Sequence, residues 1–198
     1  MLTIQELNEL ASLPNMSDLS LKLLLEFYES HLCGKEFNYN LVDNCEKELR
    51  VNLAFYNKHF CHLLGIQHIQ SRGSTIVKGE SGYQSIKDGL VTFDTLININ
   101  KAKFKSVKHR IQYFPFLIKL LENPTVINFD TSLVNDCVIT CDFMLHNDYE
   151  SRKIHLGIEK SIDNYYYAKT FMVENNCGTR YTTNQQPLIL QSSQVIIK

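Results

Sequence analysis

Apolar positions along the chain recur first at helical and later at strand spacing. Thr3 and Glu6 make a capping box, so a helix is expected over 4–13, stopped by Pro14. Ser17 or Asp18 can cap a second helix over 19–32, whose Leu21, Leu24, Leu25, Tyr28 and Leu32 form a wide apolar face ending near Gly34. From Glu36 the period changes to two. Phe37, Tyr39 and Leu41 alternate with polar residues, Asp43-Asn44 marks a tight turn, and Leu49, Val51 and Leu53 alternate on the way back. This pattern predicts a β-hairpin.

The hairpin runs into 52–69, NLAFYNKHFCHLLGIQHI, which concentrates three histidines ahead of and beyond a glycine. Wound as a helix, it places Tyr56, Phe60, Leu63 and Leu64 on one apolar stripe and turns Asn57, Lys58 and Cys61 away, with His59 and His62 at the border. Gly65 can take the left-handed angle that closes a helix. His62 would then lie in the last turn, where the helix dipole favours its protonated form, as an acid catalyst requires. The same position also suits a histidine that merely caps the helix, with His59 filling a gap at the core edge.

A polar, glycine-containing segment over 70–81 reads as an exposed loop, followed by a short helix over 83–88. Thr92 or Asp94 starts another helical turn, and 98–122 reads as helix interrupted at Phe114-Pro115. After Pro124, the runs TVINF, CVITCDFML, KIHLGIEK, YYYAKTFMV and LILQSSQVIIK have the spacing of an antiparallel meander. The expected fold class is therefore α+β: N-terminal helices and a β-hairpin, then helices followed by a C-terminal antiparallel β-sheet.

At 198 residues with 44% hydrophobic and 21% charged content, one globular unit is expected and disorder is not. The net charge of −1 announces no polyanionic partner, although Lys101, Lys103, Lys105, Lys108, His109 and Arg110 could form a local basic patch. Six cysteines without CxxC spacing fit free thiols in a reducing compartment. No stretch approaches the roughly 20 apolar residues of a membrane span, and the start lacks signal-peptide character, so a cytoplasmic location without membrane contact is expected. The sequon at Asn15 then has no consequence.

No metal site and no cofactor are expected. His59 and His62 share a helix face but lack the intervening glutamate and spacing of HExxH sites. On a strand, Cys137 and Cys141 would lie about 13 Å apart, too far to share an ion or a disulfide. GxxxxGK[ST], GxGxxG and GxSxG are all missing. Polar residues set in the strand-rich half remain: Lys169-Thr170 inside an aromatic run, then Arg180 and Tyr181. A histidine, a cation, a hydroxyl and a tyrosine together can cleave RNA without metal. One group takes the 2′-hydroxyl proton, another protonates the leaving 5′-oxygen, and cations hold the phosphorane charge. Each of these residues can equally be an ordinary outward-facing strand residue.

Through HLLGI at 62–66 within the frame FYN-x-x-F-x-HLLG, the chain resembles the phage-associated nuclease domains of the barnase, EndoU, colicin and RelE-like superfamily, in particular the polyvalent-protein branch. The order of SIKDGLVTFDTLI, VKHRIQYFPFLIKLL, CDFML, HLGIEK and YYYAKTFM is similar to that group. The resemblance implies an N-terminal helical segment over 1–34, a nuclease domain over 35–198, and a metal-independent endoribonuclease that acts as a toxin or mobile-element effector on tRNA or other structured RNA. It makes His62 the family histidine, and it puts Thr170 where serine is common and Lys169 where arginine is, which loses bidentate phosphate contact. The implied catalytic set is His62, Thr170, Lys169 and Tyr181, with Lys160, Arg110, Arg180 and His59 on the substrate, and a neutralising antitoxin or immunity partner. Neighbouring strand residues point to opposite faces, so Lys169 and Thr170 can share a wall only across a bulge. Two alternatives stand beside this: a non-catalytic RNA- or protein-binding module using Tyr165, Tyr166 and Tyr167, and a nucleotidyl-transfer enzyme.

Overall fold

The computed structural model describes residues 1–70, 74–175 and 178–197. The chain divides into two compact units, Met1–Cys33 with Tyr56–Ile118, and Gly34–Phe55 with Lys119–Lys198.

The first unit is helical. In α1 (Ile4–Asn8) the capping box forms as expected, Glu6 N donating to Thr3 Oγ1 at 3.2 Å and Thr3 N to the Glu6 carboxylate at 2.7 Å, but the helix stops five residues short. α2 (Leu21–His31) is capped by Ser20, whose hydroxyl accepts from Leu23 N at 3.0 Å. It buries Phe27 and Tyr28 completely, and Tyr28 donates to the Tyr56 carbonyl at 2.8 Å. The histidine stretch is not one helix. Leu53 and Ala54 are strand, Asn57–His59 and Ile66–His68 are 3-10 turns, and only α3 (Phe60–Leu63) is α-helical. The apolar stripe shifts accordingly, leaving Tyr56 47% exposed and Cys61 fully buried. α4 (Gly79–Lys87) follows; of the segment expected as an exposed loop, residues 71–73 lie outside the described residues and Val77 is buried. α5 (Phe93–Tyr113) bends at Asn100, where the backbone leaves helical angles and the side chain accepts from Lys103 N at 3.0 Å, recapping the second half. Pro115 tightens Phe114–Phe116 into a 3-10 turn before α6 (Leu117–Glu122).

The second unit corrects the expected open antiparallel sheet. The strands β1 (Lys35–Val42), β2 (Glu48–Ala54), β3 (Thr125–Asn128), β4 (Phe143–Tyr149), β5 (Arg152–Lys160), β6 (Tyr166–Asn175) and β7 (Gln186–Ile197) close into a barrel in the order β1-β2-β6-β5-β4-β3-β7. The hairpin keeps the register its alternation demands, Phe37 opposite Leu53 and Tyr39 opposite Val51. Two non-local pairings close the ring. β7 is long enough to pair with both β1 and β3, and β2 meets β6 in parallel at Leu53–Tyr166 and Ala54–Tyr167. Leu53, Ile154, Leu156, Ile158 and Phe171 are fully buried in this unit.

CVITCDFML is likewise not one strand. Residues 137–141 are irregular, and Cys137, Ile139, Cys141 and Tyr181 pack with Ile127, Phe129, Val134, Met144 and Met172 in a satellite core. Of the six cysteines, Cys177 lies outside the described residues and the other five form no disulfide among the described residues. No described helix is long and apolar enough to cross a membrane.

Beside this satellite core, His155 is fully buried, its Nε2 3.0 Å from a Glu174 carboxylate oxygen and its Nδ1 without a hydrogen-bond partner. Protonation would strand an N–H at Nδ1. Burial, reinforced by His146 and Lys153, outweighs the opposing pull of Asp148 and pushes His155 down to about 3, as burial pushes His146 to about 4. The contact with Glu174 is thus a neutral imidazole N–H donating to a carboxylate. Above pH 6.5 both histidines are neutral folded or unfolded; below it the unfolded chain takes up protons that the folded barrel refuses. Melting temperature should accordingly be flat near neutrality and fall steadily between about pH 6.5 and 4. A profile unchanged to pH 4 would contradict this assignment.

Candidate active site

β6 carries one residue more than β5 can match. Gly157 pairs with Thr170 and Ile158 with Ala168, so Lys169 is the extra residue of a β-bulge. A regular strand would turn Lys169 and Thr170 to opposite faces. The bulge removes that constraint and leaves both half-buried, between buried Ala168 and buried Phe171.

Lys169 Nζ bonds the Glu159 carboxylate and donates to Thr140 Oγ1 at 2.9 Å. The other oxygen of Glu159 accepts from the hydroxyl of Tyr167, the residue directly opposite it on β6. These bonds, Lys169 first and Tyr167 second, hold the Glu159 carboxyl below its usual range. The Tyr167 hydroxyl moves the other way, to about 12, first through its bond to Glu159 and then through burial. At neutral pH the cluster is a carboxylate held between an ammonium and a neutral phenol. It borders an open depression of about 620 Å³ lined by Asn128, Phe129, Cys141, Asp142, Phe143, Glu159, Lys160 and Tyr166. Burial pushes the Cys141 thiol up to about 12, so it is no thiolate nucleophile there.

Thr170 sits over Gly157, and a Cβ at Gly157 would come 2.9 Å from Thr170 Cγ2 and 3.1 Å from Cys141 Sγ. Tyr181 lies edge-on to the His155 ring at 5.5 Å, with the Arg180 guanidinium 5.3 Å from the tyrosine ring centre. Arg180 is committed to the covering segment, donating to the Asn135 carbonyl at 2.9 Å. The second unit thus brings Lys169 and Thr170 together, puts Lys160 on the neighbouring depression, and ties Arg180 and Tyr181 into the satellite core.

His62, His59 and Arg110 belong to the helical unit. The Gln67 amide nitrogen lies 2.5 Å from His62 Nδ1 and 3.4 Å from His68 Nε2. Gly65 takes φ +74°, and a Cβ there would come 2.6 Å from Arg110 Nη1. The left-handed turn is what favours glycine here, since the guanidinium end of Arg110 can shift aside. His68 is held below its usual range by burial and then by His62, Arg110, Lys103 and Lys78, a concentration of positive charge. Burial moves His59 to about 4, so it is a neutral packing histidine at physiological pH.

Glu159 escapes a reading of the sequence, which offers Tyr167 only as part of a binding surface. Glu159 is the one acidic residue of β5, a visible signal, but its partners are set by the β5–β6 register and the bulge. Among the described residues no three His, Cys, Asp or Glu side chains are grouped to hold a metal.

Replacing Gly157 with alanine should overpack this spot and cost about 1–3 kcal/mol, read as a lower melting temperature. A variant as stable as the parent would mean that Thr170 and Cys141 yield freely.

Comparison with known families matches residues 21–195 to phage-Barnase-EndoU-ColicinE5/D-RelE like nuclease4. No curated protein and no solved structure matches.

Proposed function

The chain belongs to the phage-Barnase-EndoU-ColicinE5/D-RelE like nuclease 4 family, and we propose that this nuclease cleaves RNA internally without a metal ion. The observation that carries the proposal is the Glu159–Lys169–Tyr167 cluster beside the depression that Lys160 lines. A carboxylate flanked by cations and hydroxyls suits attack by a 2′-oxygen. Glu159 takes the 2′-hydroxyl proton as that oxygen bonds to phosphorus. Lys169 and Lys160 balance the charge on the phosphorane, and the Thr170 hydroxyl donates to a non-bridging oxygen. The bond from phosphorus to the 5′-oxygen then breaks, and Tyr167, a neutral donor already in contact with Glu159, supplies the proton that the leaving oxygen needs. The products are a 2′,3′-cyclic phosphate and a 5′-hydroxyl.

Arg110 and Lys103, with His62 beside them, are assigned to phosphate contacts on RNA. Structured RNA such as tRNA as the substrate, action as a toxin in the cytoplasm, and a neutralising partner complete the proposal. A purely binding role for the tyrosine run has less support, because Tyr166 is buried and Tyr167 is bonded to Glu159, which leaves Tyr165 as the ring most open to stacking.

The test is incubation of total tRNA and ribosomal RNA with the protein in EDTA. Discrete cuts are expected, reduced about 100-fold or more in Glu159→Gln and Lys169→Ala with the fold retained by circular dichroism. His62→Ala should raise the RNA concentration needed for half-maximal cleavage. Intact RNA with the parent protein would overturn the assignment; full activity in Glu159→Gln with none in His62→Ala would move the base to His62.

A further inference from the structure

β7 outruns its neighbour. Only Gln186–Leu188 pair with β3, whereas pairing with β1 continues to Ile197. From Ile189 onward the second edge of β7 has no strand partner among the described residues. Such an edge is ordinarily protected by charge, proline or a covering element. Here 188–197 reads LILQSSQVII, with no charged residue, no proline and no glycine. Ile189 is 59% exposed, Val195 50% and Ile196 40%, and the residues between Leu190 and Val195 are exposed too.

The segment is nearly palindromic: Ile-Leu-Gln-Ser over 189–192 is answered by Ser-Gln-Val-Ile over 193–196. A two-fold axis between antiparallel strands keeps each side chain on its own face of the sheet. Residues opposite one another must therefore share a face, and in a regular strand Ile189 and Ile196 do not. β7 is not regular. Asn40 pairs with Ser192 and Leu41 with Leu190, so Gln191 is a bulge that shifts the alternation by one. With Gln191 set aside, Ile189 and Ile196 fall on one face, Leu190 and Val195 on the other. Ser193 then lies on the axis, Ser192 faces Gln194 of the second copy, and each apolar residue between 189 and 196 meets an apolar residue.

We propose that β7 is a self-recognition edge, pairing antiparallel with β7 of a second copy of this chain about a two-fold axis at Ser193. Ile189 of each copy meets Ile196 of the other, Leu190 meets Val195, and the pairing consumes the edge, so the assembly closes as a dimer and not as a fibre.

Sedimentation equilibrium of the whole chain tests this with Ile189→Glu and Ile196→Lys. Each substitution sets a charge against an isoleucine twice per dimer. The parent is expected to dimerise, and each variant to do so roughly tenfold or more weakly. An equimolar mixture should recover association, because Glu at 189 of one chain then meets Lys at 196 of the other while the second pair stays apolar. The doubly substituted chain should dimerise with itself for the same reason, which separates loss of pairing from loss of folding. Val138→Lys, at a 95% exposed residue off β7, should change nothing. A parent that stays monomeric, a dimer that both single variants leave intact, or singles that neither the mixture nor the double variant restores would each overturn the proposal.

Discussion

One extra residue in β6 decides what the outer wall of the barrel can do. Strand alternation would send Lys169 and Thr170 to opposite sides, and a lysine turned into a core of leucine, isoleucine and phenylalanine would be untenable. Placing the bulge at Lys169 keeps Ala168 and Phe171 buried while the lysine reaches Glu159 and Thr140. The catalytic proposal, the Tyr167 bond and the requirement for glycine at 157 all follow from that single register shift. Bulges are common beside active sites because they re-aim side chains without dissolving the sheet.

The bulge in β6 needs a fixed β5 as its reference, and closure of the barrel supplies it. β5 and β6 are held through nine cross-strand residue pairs, while β6 meets β2 at only two. The wall carrying the site is thus the most extensively paired part of the sheet, and the parallel junction beside it the least. Met144 and Met172 anchor Phe129, Val134, Cys137, Ile139 and Cys141 in the satellite core, and neutral His155 bonds Glu174.

Much of the framework was legible in the residues. The Thr3–Glu6 cap, the β1–β2 hairpin, the break at Pro115 and the left-handed Gly65 all come from local rules and are all present, although the hairpin loop runs over 43–47 and is longer than the tight turn expected at Asp43-Asn44. Non-local pairing was not legible. Periodicity shows that 35–54 and 125–197 are strands but carries no mark that they join in one ring, so a closed barrel looked like an open sheet. The length of α5 was obscured by Asn100, and the histidine stretch was over-read as helix because its apolar residues fit a 3.6 period across three short turns. Lys169 and Thr170 stood out as polar residues among aromatics, whereas Glu159, and Tyr167 as its partner, acquire meaning only through the register.

The central claim is that a carboxylate, cations and hydroxyls perform the cleavage by attack of the neighbouring 2′-oxygen. The most direct measurement is the chemical identity of the new 3′ ends, read by mass spectrometry of oligonucleotide products formed in EDTA. The account predicts 2′,3′-cyclic phosphates, and no cleavage of a substrate carrying 2′-deoxyribose at the scissile position. Products ending in a 3′-hydroxyl with a 5′-phosphate on the other fragment, or equal cleavage of the deoxy substrate, would contradict it.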